Sequence, residues 1–137
     1  MLDTIHHIPV LLDEVINSLS LKDEGFYVDA TFGLGGYSKE ILSNRNCNLL
    51  AIDRDPEAKK FAQPIKSSFK DKFTFVNGRF SELIKFLEDK KIKKVNGVVF
   101  DLGVSSPQLD KNERGFSFKS DGPLDMRMSL EGPTAEE

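Results

Sequence analysis

The stretch Phe26-Tyr-Val-Asp29-Ala-Thr-Phe-Gly33-Leu-Gly35-Gly36 decides the fold. A run of aromatic, β-branched and small residues leads into three closely spaced glycines. Such a run reads as a strand that ends in a tight turn, where residues without a Cβ let the backbone bend and approach a ligand. Residues 37–45 then look helical, and a helix N-terminus there offers unpaired N–H groups. Asn48-Leu-Leu-Ala-Ile-Asp53 is a second, continuously apolar strand. Pro56 suits the first turn of a helix running to about Phe69. Phe73-Thr-Phe-Val-Asn-Gly78 is a third strand, and Ser81 is placed to cap a helix with Leu83, Ile84 and Leu87 on its inner face. Asn96-Gly-Val-Val-Phe-Asp101 is the fourth strand. Upstream, Pro9 opens a stretch in which Leu11, Leu12, Val15, Ile16 and Leu19 have helical spacing. This alternation predicts an α/β fold of βαβ units on a parallel sheet, with helices covering both faces.

From Gly103 to Gly132 the regular period disappears. A long irregular stretch inside a compact domain is a candidate functional element. The strand ends carry the other candidates, because open α/β sheets bind ligands beyond the carboxyl ends of their strands. Asp53 follows Gly33 by twenty residues. An acid at that distance can accept both ribose hydroxyl protons of an adenosine, or it can cap the helix that Asp53-Arg-Asp-Pro56 introduces. Asp101 stands at the fourth strand end, just before Gly103. A dinucleotide fingerprint is only loosely met, since Ser38 occupies its third small position, and a phosphate-loop Gly-Lys-Ser/Thr is absent. Asp29 sits poorly beside a pyrophosphate and well beside the amino group of a methionine moiety. That favours S-adenosylmethionine over a nicotinamide dinucleotide. A non-catalytic S-adenosylmethionine- or nucleotide-binding module and an NAD-linked enzyme remain alternatives on these residues alone.

Composition narrows the class. The 137 residues include 39% hydrophobic and 30% charged side chains, a globular balance. No apolar run is long enough for a membrane helix, and the opening Met1-Leu-Asp-Thr-Ile-His-His7 resembles neither a secretory signal nor an Arg-rich transit peptide. The single Cys47 excludes an intramolecular disulfide and a multi-cysteine metal site, and a reducing, cytoplasmic setting is expected. His6 and His7 lack partners at ligand spacing, so no metal site is expected. The net charge of −3 conceals an asymmetry: residues 59–94 hold eleven of the nineteen Lys and Arg but only four of the 22 Asp and Glu. This segment either attracts nucleic acid or presents two Lys-rich solvated helix faces.

More specific strings follow. Asp101-Leu-Gly-Val-Ser-Ser-Pro-Gln-Leu-Asp110 continues into Arg114-Gly-Phe-Ser-Phe118 and Asp121-Gly-Pro-Leu-Asp-Met-Arg-Met128. With His7-Ile-Pro-Val-Leu-Leu-Asp-Glu14, Asp29-Ala-Thr-Phe-Gly-Leu-Gly-Gly36 and Ile52-Asp-Arg-Asp-Pro56, they resemble the bacterial 16S rRNA (cytosine-N4)-methyltransferase family (RsmH, also called MraW) over nearly the whole chain. The resemblance implies a Rossmann-like S-adenosylmethionine-dependent methyltransferase fold, a parallel sheet with flanking helices. It implies methylation of the N4 amine of cytosine 1402 in 16S rRNA, with the small ribosomal subunit as partner and no membrane. By the same analogy Gly35, Gly36, Tyr37, Asp53, Phe80, Asp101 and Gln108 contact the cofactor. Tyr37 departs from the family pattern, which normally has His there; a backbone contact would survive the change and an imidazole contact would not. Ser129 departs as well, where an acidic residue is usual.

Roles follow for these positions. Asp53 would hold the ribose. Phe80 would pack on the adenine or fill the core at a helix entrance. Asp101 and Gln108 would lie near the methionine end and the transferring methyl. A cytosine amine is a weak nucleophile because its lone pair is conjugated with the ring. A hydrogen-bond acceptor favours its tetrahedral form, and Asp101, as the candidate catalytic residue, or a carbonyl at 102–104 would supply it. Arg114 and Arg127 could contact phosphate. Phe116 and Phe118 could stack on bases or form a short strand on the core. Four visible strands against the family's seven, with the capping-box pattern Thr134-Ala-Glu-Glu137, lead us to expect that residues 1–137 are an N-terminal cofactor-binding part, truncated after the fourth strand and its long loop. The helical substrate domain and the last strands would then be absent, and the chain alone would be inactive.

Overall fold

A computed structural model describes residues 8–137. His6, His7 and the rest of the opening segment lie outside the described residues. Four strands, β1 (Phe26–Asp29), β2 (Asn48–Asp53), β3 (Phe73–Asn77) and β4 (Gly97–Val99), form one sheet in the order β3-β2-β1-β4. Every pairing is parallel, with Tyr27 opposite both Leu49 and Gly97. The chain therefore moves outward from β1 to β3, then crosses back to the other side of β1. This reversal leaves a crevice between the ends of β1 and β4. The expected α/β architecture holds.

The strands alternate their side chains between two cores. Tyr27, Leu49, Ala51, Phe73 and Val99 pack with α1 (Leu12–Leu19), α2 (Gly36–Asn44) and α3 (Lys59–Phe69). Val28, Leu50 and Ile52 face the other way, against Leu83, Phe86 and Leu87 of α4 (Leu83–Asp89). Burial on both faces explains why β2 reads as a continuous apolar run.

Several local expectations are corrected. Pro9 is not in the first turn of a helix: α1 starts at Leu12, behind Leu11 in the left-handed region (φ 50°). Pro56 opens a 3₁₀ turn, Pro56–Ala58, that leads into α3. Ser81 does not cap α4. It lies within a 3₁₀ turn, Phe80–Glu82, whose Glu82 N–H donates to the Arg79 carbonyl at 2.9 Å. Ile84 is exposed, and Phe86 takes the inward position assigned to it, because Leu83, Phe86 and Leu87 share one face of α4 at i, i+3 and i+4 while Ile84 turns away from it. β4 ends at Val99, so Asp101 stands two residues beyond it.

The long irregular stretch also contains order. α5 (Ser106–Asp110) begins with Pro107 in its first turn, and the Ser105 N–H donates to Gln108 Oε1 at 3.0 Å. A 3₁₀ turn, Asn112–Arg114, follows. Phe116 and Phe118 form no strand. Phe118 is fully exposed, while Phe116 lies under the Arg114 guanidinium, 6.0 Å from its centre. Near the end, the Thr134 N–H donates to the Glu137 carboxylate at 2.8 Å without a helix forming. Among the described residues no helix is long and apolar enough to cross a membrane.

Candidate functional site

The crevice at the strand ends opens into a cavity of about 520 Å³. That is within the ordinary range for sites that enclose a small molecule. Gly36 and Tyr37 of α2, Asp53 at the end of β2, Phe80 past β3, Asp101 past β4 and Gln108 of α5 all line it. Gly35, the remaining position assigned to the cofactor, stands directly behind this lining. Its φ is +80°, and a Cβ there would meet the Phe32 ring and the Ile65 δ-methyl at 2.7 Å. The turn can therefore be built only with glycine at this point. At the next residue, a Cβ on Gly36 would lie 2.2 Å from Pro9, which packs over the start of α2.

α2 has no side-chain cap. Its first N–H groups, those of Gly36 and Tyr37, lack intrahelical acceptors and carry the positive end of the helix dipole to the cavity wall. The Tyr37 side chain is committed elsewhere: its hydroxyl donates to the Val10 carbonyl at 2.5 Å and ties the segment before α1 to α2. What Tyr37 can offer a ligand is its backbone.

Asp53 is half-buried and well held. Oδ2 accepts the Gly33 N–H at 2.6 Å, and Oδ1 accepts the Asp55 N–H at 2.8 Å. Each oxygen keeps a lone pair for a further donor. Burial raises its pKa above the ordinary carboxylate value, although both backbone donors oppose the shift. Of the two sequence readings, the helix cap falls to Asp55, whose Oδ1 accepts the Glu57 N–H at 3.0 Å. Asp53 joins the glycine turn after β1 to the turn after β2.

Asp29 does not face the cavity. It is completely buried, with Oδ2 accepting from Ser38 Oγ at 2.7 Å and Oδ1 from the Thr31 N–H at 3.3 Å. Desolvation pushes its pKa up to about 6, with a smaller push from the Asp53 charge. The expected contact with a methionine amino group is therefore replaced by an internal role behind the glycine turn.

Phe80 is partly exposed and meets Phe100 edge to face, with centroids 5.5 Å apart. It is a wall of the cavity mouth rather than a core residue. Asp101 is exposed, and its N–H donates to Thr31 Oγ1 at 2.7 Å, which fixes the β4 end against the β1 end. Gln108 is buried, and its Nε2 donates to Asp55 Oδ2 at 2.9 Å.

The two arginines of the long loop are both held by carboxylates. Arg114 is buried, and its guanidinium pairs with Asp55 at 3.0 Å and Glu57 at 2.9 Å, so it is not available to phosphate. Arg127 is held by Asp125 at 2.7 Å. Asp55 was not singled out from the sequence, although it joins the cap, Gln108 and Arg114. The sequence signal for it was the Asp-Arg-Asp-Pro string, which favoured Asp53.

The model of the MraW methylase family matches residues 4–137. The chain is 49% identical over 129 residues to a ribosomal RNA small subunit methyltransferase H of Rhodospirillum rubrum, covering 94% of this chain and 40% of that protein. It is 53% identical over 131 residues to a protein of the same name from Rickettsia bellii, covering 96% and 42%. The chain thus spans about two fifths of the length of these curated relatives. Among solved structures, an rRNA methylase from Streptococcus thermophilus shares the fold with a TM-score of 0.54 and 20% identity, covering 72% of this chain and 57% of that one.

Proposed function

The chain belongs to the MraW methylase family, and we propose from that premise that it holds S-adenosylmethionine for methylation of small-subunit ribosomal RNA. One observation carries the reading. A single cavity gathers Gly36, Tyr37, Asp53, Phe80, Asp101 and Gln108 at the carboxyl ends of parallel strands. The residues present fit such a cofactor: an acid with a free lone pair on each oxygen, an uncapped helix N-terminus and an aromatic wall.

In this reading Asp53 accepts from the ribose hydroxyls and Phe80 packs on the adenine. The backbone of Gly36 and Tyr37 meets the polar end of the ligand, with Gly35 shaping the turn. Gln108 closes the wall. When bound, S-adenosylmethionine supplies a methyl group made electrophilic by its sulfonium. Asp101 takes the catalytic role: its carboxylate accepts a hydrogen bond from the N4 amine of cytosine 1402 of 16S rRNA and favours the tetrahedral, nucleophilic form. Orientation of the two reactants supplies the larger share of the acceleration. Residues 1–137 provide the cofactor-binding part, and the rRNA is held by a helical substrate domain outside this chain.

The deciding experiment incubates the whole protein with small ribosomal subunits and S-adenosylmethionine labelled in its methyl group. Label on N4 of that cytosine is the expected result. Cofactor binding without transfer would reduce the protein to a binding module, and saturable binding of NAD with none of S-adenosylmethionine would overturn the ligand. Asp101→Ala is expected to abolish transfer while leaving the fold intact; full activity would remove the carboxylate from the chemistry.

A further inference from the structure

The Arg114 guanidinium does not line the cavity, yet it has more polar partners than any other side chain near it. Nη1 donates to Glu57 Oε2 at 2.9 Å. Nη2 donates to Asp55 Oδ2 at 3.0 Å and to the carbonyls of Arg127 and Met128 at 3.1 Å each. Only about 5% of this side chain is exposed. Lys111 adds a second cation on Glu57.

These contacts join three segments that are distant in sequence. Asp55 and Glu57 belong to the turn that follows Asp53. Arg127 and Met128 lie at the far end of the long loop, and Met128 itself lines the cavity. Gln108 enters the same network, because its Nε2 donates to the Asp55 Oδ2 that also accepts from Arg114. Its Oε1 is held by the Ser105 N–H at 3.0 Å. Both ends of the Gln108 amide are thereby oriented, leaving one N–H and one lone pair uncommitted.

We propose that Arg114 is a positioning residue for the cofactor cavity, acting through Asp55 and Gln108. It clamps residues 105–128 onto the turn after β2 and so sets the wall that Gln108 and Met128 contribute. A planar fork with several donors is required, since one cation must reach two carboxylates and two carbonyls at once. Lysine keeps the charge and loses the fork. The proposal rests on the S-adenosylmethionine reading of the cavity, and its test separates the two.

The test uses the whole protein with Arg114→Lys, Gln108→Ala and the double variant. Hydrogen exchange is followed in residues 105–128 and in β2, and S-adenosylmethionine binding is measured by calorimetry. Arg114→Lys is expected to speed exchange in 105–128 by about tenfold or more while β2 keeps its protection. The dissociation constant is expected to rise by about tenfold, and the double variant to bind no worse than the weaker single. A purely structural role would instead make the two losses multiply. Unchanged exchange in 105–128, unchanged affinity, or multiplying losses would each overturn the proposal. If Arg114→Lys also strips protection from β2, Glu57→Gln replaces it, because that variant leaves the Asp55 pair in place; the same loop-restricted pattern is then expected at smaller amplitude. Loss of β2 protection in both variants would count against the proposal. A wild-type protein that binds no S-adenosylmethionine would defeat the ligand reading, and the exchange result would still decide the role of Arg114.

Discussion

Replacing Asp29 with Asn is expected to stabilise the protein at neutral pH and to remove a pH dependence. Asp29 has no solvent exposure, and its pKa is raised from 3.8 to about 6, chiefly by burial. The Ser38 hydroxyl, the Thr31 N–H and, least, the Ser38 N–H oppose that shift without cancelling it. Between about pH 4 and about pH 6 the folded protein therefore holds a proton that the unfolded chain has lost. Stability falls as pH rises through this window. The full effect, present above the folded pKa and absent below the unfolded one, is about 3 kcal/mol. An Asn side chain keeps the shape. Its oxygen accepts the Thr31 N–H, and its amide donates to Ser38 Oγ, whose hydroxyl is both donor and acceptor. Urea unfolding of both proteins across the window isolates the effect, because other titrating carboxylates act on both and largely cancel in the difference. The variant is expected to gain about 3 kcal/mol over wild type between about pH 4 and about pH 7. A difference that stays constant with pH would refute the reasoning.

Three further outcomes are expected. Gly35→Ala puts a Cβ against Phe32 and Ile65 in a left-handed backbone, and a loss of about 3 kcal/mol should appear in urea midpoints. Asp53→Asn presents an NH₂ to a backbone N–H that now meets an oxygen, whether at Gly33 or at Asp55. It should lower stability by about 1–3 kcal/mol and raise the S-adenosylmethionine dissociation constant by about tenfold or more in calorimetry. Tyr37→Phe removes the hydroxyl bond to Val10 and should cost about 1 kcal/mol in the same unfolding assay. Its cofactor affinity should stay within about twofold of wild type, because the hydroxyl is committed to the Val10 carbonyl and not to a ligand.

How much was legible in the sequence depends on the range of the interaction. β2 appears as read, Asn48–Asp53, because a strand buried on both faces must be apolar throughout, and polar residues mark its ends. The glycine turn was legible because a positive φ and a missing Cβ leave a residue-type signature. On α4 the residues offer two apolar choices beside Leu83 and Leu87, and the i, i+3, i+4 set that includes Phe86 faces the sheet while Ile84 faces out. The sequence suggests a ligand contact for Asp29 because strand-end position does not reveal which way a carboxylate turns. Its partner Ser38, nine residues on, turns it inward.

The long loop was illegible for a different reason, and that reason bears on how the site works. Its order depends on Arg114 meeting Asp55 across 59 residues of sequence, and a charge pair leaves no period to read. The same fact separates the floor of the cavity from its wall. The floor is the sheet, held by apolar contacts on both faces. The wall from Ser105 to Met128 is attached by hydrogen bonds and ion pairs, and in α5 only Gln108 is buried. Polar attachments of this kind open at lower free energy than a packed sheet. One orphaned group points the same way: Arg114 Nε is buried without a partner, which weakens the clamp at its centre. A ligand that touches both the glycine turn and Gln108 would bridge floor and wall, so its binding and the ordering of the loop should occur as one event.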